Sequence, residues 1–330
     1  MNGKQKKLKT SERQATGDHL FTVHGSPFTG GFVHLHVHSF YSLMRGVSSP
    51  EVLCREAKKA GFTHLALTDT NGFYGLINFL EAARSTGIEP IVGAEIKTAQ
   101  TSAVFLARTA AGYEILSDLI TRRHTEDDFQ LIQSLPEKTS DLVLLGSDPE
   151  LLKALRNRLE CFFEVAPGPS DRKLLRAAKE MSIAPVATND VHFAREEDYP
   201  LHRLVRAIDL NKTLGSLAPG ETAAPGRRLK SAREMFAHFP NCPEALANTV
   251  KIARACHTAW DSFQTVFPHY LDKNEDHFGL LISECRRGIE WRYGKTCTAI
   301  EDRLAEELDL IRSKGFVDYF LIVADIVRRR

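Results

Sequence analysis

FVHLHVHSF, residues 32–40, is the stretch that decides the fold class. Apolar residues alternate with histidine through it, and a period of two is that of a strand whose successive side chains point to opposite faces. His34, His36 and His38 therefore share one face. Three imidazoles on a strand face cost desolvation and give up packing. Two explanations stand side by side: a run of satisfied core or surface histidines, or His36 and His38 converging on one ion near the strand end.

Outward from that strand one pattern repeats to about Leu210. THLALT, EPIVGAEI, SAVFLA, DLVLLG, ECFFEV and IAPVAT read as further strands, several of them near-continuous apolar runs of the kind covered on both faces. Between most of them lie helices. Pro50 opens EVLCREAKKA and Gly61 stops it, while YGLINFLEAARSTG, GYEILSDLITRR, PELLKALRNRL and DRKLLRAAKEM carry the helical apolar spacing. Alternating strands and helices predict parallel pairing in an α/β sheet, and about seven strands favour barrel closure with the site at the strands' C-terminal ends. Residues 211–226, NKTLGSLAPGETAAPG, are a loop by composition, and residues 227–330 turn mostly helical. The last helix, VDYFLIVADIVRRR, has no cap, Gly or Pro at its end and reads as cut rather than finished.

The 330 residues are 43% hydrophobic and 26% charged, the balance of a soluble globular protein. Lys+Arg 43 against Asp+Glu 42 leaves a net charge of +1, so no global imbalance advertises a nucleic-acid or membrane surface. The longest run without Asp, Glu, Lys or Arg, His19 to Met44, is too rich in His, Gly and hydroxyls to span a membrane. Residues 1–29 begin with the basic MNGKQKKLKTSERQ, lack the apolar core of a secretory signal, and read as a mobile, solvated leader. The 6 cysteines are scattered with no Cys-x-x-Cys pair, which predicts reduced thiols in a cytoplasmic protein and no cysteine zinc site.

Further polar residues sit at predicted strand ends. Glu95 closes EPIVGAEI, where an acid is costly unless it is salt-bridged, exposed or liganding a metal. Asp190 and His192 form an i, i+2 carboxylate–imidazole pair in ATNDVHF. Asp69 stands in LALTDTNG, although Asp-Thr-Asn-Gly is also ordinary turn chemistry. Together they make a mixed nitrogen and oxygen set suited to zinc, manganese or iron, able to bind phosphate and activate water for phosphoester hydrolysis.

HLHVHSFYSL, LALTDTNGFYG, PIVGAEI and PVATNDVHF resemble, in order, the motifs of the polymerase-and-histidinol-phosphatase (PHP) domain. More narrowly they resemble the version at the N-terminus of bacterial DNA polymerase III alpha subunits. GFYGLINFLEAARSTGIEPIVGAEI, GYEILSDLIT and LKSAREMFAHFPNCPEALANTVKIA carry that narrower likeness, and RLAEELDLIRSKGFVDYFLIVADIV resembles the entry into that family's palm. The resemblance implies an α/β fold: a PHP-type distorted (β/α)7 barrel over residues 30–210, then the 211–226 loop and a helical segment, 227–330, leading into a truncated palm.

It also implies a three-metal cluster. His36 and His38 match the first motif's ligands, Glu95 the bridging acid, and Asp190 with His192 the last pair. The departures are Asp69-Thr70 in place of Asp-His, Arg45-Gly46 where related polymerases often have Asp before Gly, no histidine around Ser102, and no further ligand near Gly146. About half of the set survives, which leaves a single zinc or manganese ion or a metal-free structural domain. Arg45 is expected either to stand in for a missing ion beside Glu95 and Asp190 or to be a solvated loop residue. For the full-length polymerase the resemblance implies magnesium, DNA and nucleotides, contacts with palm, thumb and fingers, and a proofreading exonuclease and sliding clamp as partners. No Asp-x-Asp pair exists in this chain, so polymerisation has no catalytic residues within it. GIEWRYGKT is no phosphate loop, because Gly288 and Gly294 are one residue too far apart and lie in a helical stretch. The rival functions are a free-standing metal phosphoesterase and an interaction scaffold without catalysis.

Overall fold

Every residue of LVLLG, 142–146, is buried, as a strand covered on both faces requires. The computed structural model, which describes residues 31–256, 268–270 and 276–328, places it in a six-stranded sheet. The strands are β1 (His64–Leu67), β2 (Glu89–Lys97), β3 (Ser102–Ala107), β4 (Leu142–Gly146), β5 (Glu160–Val165) and β6 (Pro185–Ala187), adjacent in chain order. Helix α1 (Pro50–Lys59) precedes them, and between them run α2 (Leu76–Thr86), α3 (Ala110–Thr125), α4 (Leu131–Ser134), α5 (Pro149–Leu155) and α6 (Asp171–Met181). The signals that start and stop α1 behave as read: Ser49 Oγ accepts from Val52 N, Pro50 fills the first turn, and Gly61 leaves at φ 84°. The leader expected over residues 1–29 lies outside the described residues.

Two expectations about the sheet are corrected. Pairing is not all parallel: β2–β3 and β3–β4 are antiparallel, while β1–β2, β4–β5 and β5–β6 are parallel. Only residues 98–101 separate β2 from β3, too few for a crossover, so β3 returns as a hairpin and runs against both neighbours. Residues 32–38, the run that opened the sequence reading, form a single bridge, Val37 with Val191, rather than a seventh ladder. Their backbone lies across the seam: Ala66 N donates to His34 O and Thr68 N to Val37 O on one side, Val191 N to His36 O on the other. Side-chain hydroxyls interrupt the ladder, for Val33 N donates to Thr249 Oγ1 (3.0 Å) and Val37 N to Thr68 Oγ1 (2.8 Å). The result is the distorted barrel expected, with the histidine segment as its closing stave.

Inside the barrel Leu35, Ile91, Val104, Leu145, Phe162 and Val186 pack together; outside it Phe79, Phe105, Leu116, Leu144 and Phe163 face the helices. The helices α7 (Tyr199–Asp209), α8 (Ala232–His238) and α9 (Pro243–Ala255) follow the last strand. The chain separates into a unit ending at Trp260 and another beginning at Asp261. Leu229, Met235, Phe239, Ala245 and Leu246 are buried in the barrel's own core, and Ile252 and Ala253 of α9 plug the inner cluster. Hence α8 and α9 complete the barrel rather than opening the next domain.

The second unit holds α10 (His277–Tyr293), α11 (Thr298–Ser313) and α12 (Val317–Arg328). Each contributes one fully buried residue, Leu281, Leu308 and Leu321, while Trp291, Tyr319, Phe320, Val323, Ile326 and Val327 stay exposed. A core that small should open easily. Hydrogen exchange is expected to be fast over residues 300–328 and slow at Leu65–Leu67 and Ile91–Val92; equal protection would contradict this. No helix among the described residues is long and apolar enough to cross a membrane.

Candidate metal centre

Asp190 follows β6 with φ 44°, a left-handed backbone rare for a residue other than glycine. The neighbouring Asn189 anchors the turn by donating from Nδ2 to Gly226 O (2.9 Å) and Arg228 O (2.7 Å). This conformation puts Asp190 Oδ1 among three imidazoles, 3.6 Å from His36 Nε2, 3.4 Å from His38 Nε2 and 3.1 Å from His192 Nε2. The Nε2 atoms of His36 and His38 are themselves 3.0 Å apart. The potential ligand atoms of His36, His38 and Asp190 all lie within 4.8 Å of one another.

The far nitrogens of the two strand histidines are held from behind. His36 Nδ1 meets Glu164 Oε1 at 2.7 Å, and that oxygen also accepts from Thr188 Oγ1 at 2.7 Å. His38 Nδ1 meets Ser42 Oγ at 3.0 Å, and Ser42 donates onward to Asp69 Oδ1 at 2.6 Å. A histidine bonded to oxygen through one ring nitrogen presents the other to a metal. This donor set, two braced imidazoles and a carboxylate with His192 beside them, fits a first-row divalent ion. The buried Nδ1 of His192 has no hydrogen-bond partner among the described residues, while its ring stacks on His38 with centroids 4.8 Å apart. An ion held there would supply Lewis acidity toward a phosphoryl oxygen.

The electrostatics follow from the same contacts. Burial alone would lower the pKa of His36, but the carboxylates of Glu164 and Asp190 outweigh it and raise it to about 9. Burial likewise works to raise Asp190, yet His192 and His36 hold it well below the ordinary carboxylate range. For His192 burial prevails over Asp190 and the pKa falls.

The other sequence candidates take different places. Asp69 is not among the converging residues; it is buried behind His38, accepting from Ser39 N, Ser39 Oγ and Ser42 Oγ. His34 is a core histidine outside the cluster: its Nε2 meets Lys230 O at 2.8 Å, Phe32 and Phe62 pack edge-on, its buried Nδ1 has no hydrogen-bond partner among the described residues, and burial lowers its pKa to about 4. Glu95 is buried beside the cluster, with Thr70 Oγ1 donating to its Oε2 at 2.7 Å and Ser102 Oγ donating to its Oε1. Arg45 forms no ion pair with Glu95 or Asp190 among the described residues; its carbonyl accepts from His202 Nδ1 at 2.7 Å. Lys97 lies within reach of both acids: burial and then Arg45 lower its pKa, with Glu95 and Asp190 acting the other way.

Sequence reasoning missed Glu164, Ser42 and His202, and saw Thr70 and Ser102 only as places where a family histidine is missing. Glu164 had a readable signal, an acid inside the apolar run ECFFEV. His202 had none: it ties two distant loops together, with Nδ1 on Arg45 O and Nε2 accepting from Ala223 N at 2.9 Å.

Residues 34–161 match the PHP domain family, and residues 279–330 match the bacterial DNA polymerase III alpha NTPase domain. The PHP match lies within the first unit. The DNA polymerase III subunit alpha of Buchnera aphidicola subsp. Schizaphis graminum is 30% identical over 343 aligned residues, covering 90% of this chain and 30% of the relative. That of Escherichia coli K12 is 30% identical over 351, again covering 90% of this chain and 30% of the relative. Among solved structures, a Bacteroides vulgatus two-domain protein containing a predicted PHP-like metal-dependent phosphoesterase superposes with a TM-score of 0.36 at 15% identity, covering 66% of this chain and 63% of that one. Over 90% of its length the chain is similar to DNA polymerase III alpha subunits, and it spans about 30% of the length of the curated relatives it matches.

Proposed function

We propose that this chain is the N-terminal part of a bacterial DNA polymerase III alpha subunit and that its PHP domain is mainly structural, supporting the palm and thumb. Likeness to polymerase alpha subunits over 90% of the chain, running through both units, is the observation that carries this. Polymerisation then belongs to the remainder of the enzyme, where magnesium, DNA and nucleotides meet, and where the fingers, a proofreading exonuclease and the sliding clamp are the partners. The setting is the cytoplasm, with no membrane contact. Within the PHP domain, His36, His38 and Asp190, with His192 adjoining, hold one zinc or manganese ion.

The purified chain, given a primed template, magnesium and nucleotides, is expected to extend nothing, and a reading frame continuing into a palm should adjoin its gene. Extension that survives purification to homogeneity would sink the proposal. A second reading, a metal-dependent phosphoesterase, is favoured by the convergence of imidazoles on Asp190. Its sign would be hydrolysis of a chromogenic phosphodiester by the zinc- or manganese-loaded chain, abolished in Asp190→Asn.

A further inference from the structure

Glu95 ends a core strand with its side chain buried, and such a carboxylate must be balanced by a cation, a metal or hydrogen-bond donors. The backbone decides which of these it meets. Thr70 is bridged to Glu95: Asn71 N donates to Glu95 O at 2.8 Å, and Glu95 N donates to Asp69 O at 3.2 Å. That pairing fixes the Thr70 hydroxyl 2.7 Å from Oε2. On the other side the β2–β3 hairpin sets Ser102 opposite Lys97, two residues along from Glu95, and from there its hydroxyl donates to Oε1. Both carboxylate oxygens therefore carry a hydroxyl proton, each delivered by a backbone pairing rather than by a free rotamer. Asp190 differs: among the described residues, the side-chain neighbours of its Oδ1 are imidazole nitrogens, which can give it up to an ion.

We propose that Thr70 and Ser102 form a hydroxyl clamp that holds Glu95 out of the ion's coordination sphere, so that the chain takes a single divalent ion on His36, His38 and Asp190. The inference rests on the metal reading above and deepens it. Before either Glu95 oxygen can ligate an ion it must share or shed a hydroxyl donor, a cost that Asp190 does not bear. The clamp also leaves the carboxylate satisfied when no ion is present. Thr70 and Ser102 are thus positioning residues: they set the number of ions without touching one.

Calorimetric titration of the full chain with zinc or manganese, paired with metal analysis after gel filtration, tests this. The parent is expected to retain one ion per chain. Asp190→Asn should weaken binding by about 100-fold or more, the upper end of what even outer ligand partners contribute. Glu95→Gln should change it by less than about fivefold, the size of a screened charge interaction. The double variant Thr70→Val with Ser102→Ala, which frees the carboxylate from both donors, should bind about tenfold tighter or retain a second ion. Circular dichroism of each variant confirms that folded protein is compared. A parent that retains two or more ions, or a Glu95→Gln loss equal to that of Asp190→Asn, overturns the clamp while leaving the metal site standing. So does a double variant that binds as the parent does. A parent that retains no ion overturns the metal site itself and the clamp with it.

Discussion

Asp69→Ala is expected to destabilise the chain by about 3–5 kcal/mol, since it strands several buried donors that each cost roughly 1–3 kcal/mol when unsatisfied. Asp69 is 1% exposed and accepts from Ser39 N (2.7 Å), Ser39 Oγ (2.7 Å) and Ser42 Oγ (2.6 Å). The loop after His38 is wound around this one carboxylate. Ser42 is the joint, because its hydroxyl gives a proton to Asp69, accepts from Thr70 N and meets His38 Nδ1. Losing Asp69 therefore also loosens His38, and metal affinity should fall about 10–100-fold, as it does when a ligand's hydrogen-bond partner is removed. Asp69→Asn should recover little, because an amide nitrogen would face donors. Urea melts with chelator present, followed by zinc titration of the folded variant, measure the two effects separately. An unchanged urea midpoint in Asp69→Ala would refute this account of the loop.

That result bears on what a sequence can disclose. His36, His38, Asp190 and His192 were legible because period two and i, i+2 spacing are local rules, and because imidazoles and acids are expensive in a strand. Asp69 was legible as an important acid but not in its role, since the distinction between liganding an ion and gripping a loop lies in Ser39 and Ser42, near it only in space. Thr70 and Ser102 were noted as places where a family histidine is missing; that both hydroxyls turn onto Glu95 depends on the register of two different pairings. The fold shows the same boundary. The apolar runs marked the core strands, yet the reversal of β3 hangs on the brevity of residues 98–101 rather than on anything within the strand. Likewise α9 has the look of any amphipathic helix, and only Ile252 and Ala253 inside the barrel reveal which side of the domain boundary owns it.

Gly46→Ala is expected to be about as damaging, by about 3 kcal/mol or more, through steric overlap rather than lost bonds. A Cβ on residue 46 would lie 2.0 Å from Ser39 O and 2.5 Å from Ser39 C, with His38 C 3.1 Å away. Nothing there is a flexible side chain that could swing aside. The two backbone strands are pinned to each other and to their surroundings: Gly46 N and Arg45 N donate to Ser42 O, Phe40 N to Ser48 O, and Val47 N to His192 O. Gly46 is not among the glycines with positive φ, so its need is for closeness and not for left-handed freedom. Gly61 supplies the contrast, with φ 84° and open space where its Cβ would go. Gly61→Ala should cost only about 1–2 kcal/mol, the penalty of a left-handed L-residue. Because Val47 is bonded to His192 and Ser39 to Asp69, the displacement caused by Gly46→Ala reaches both sides of the imidazole cluster, and metal affinity should drop with stability. Paired urea melts of the two glycine variants decide the matter: a midpoint shift for Gly46→Ala no larger than that for Gly61→Ala would show that the 39–46 loop has more room than the geometry allows.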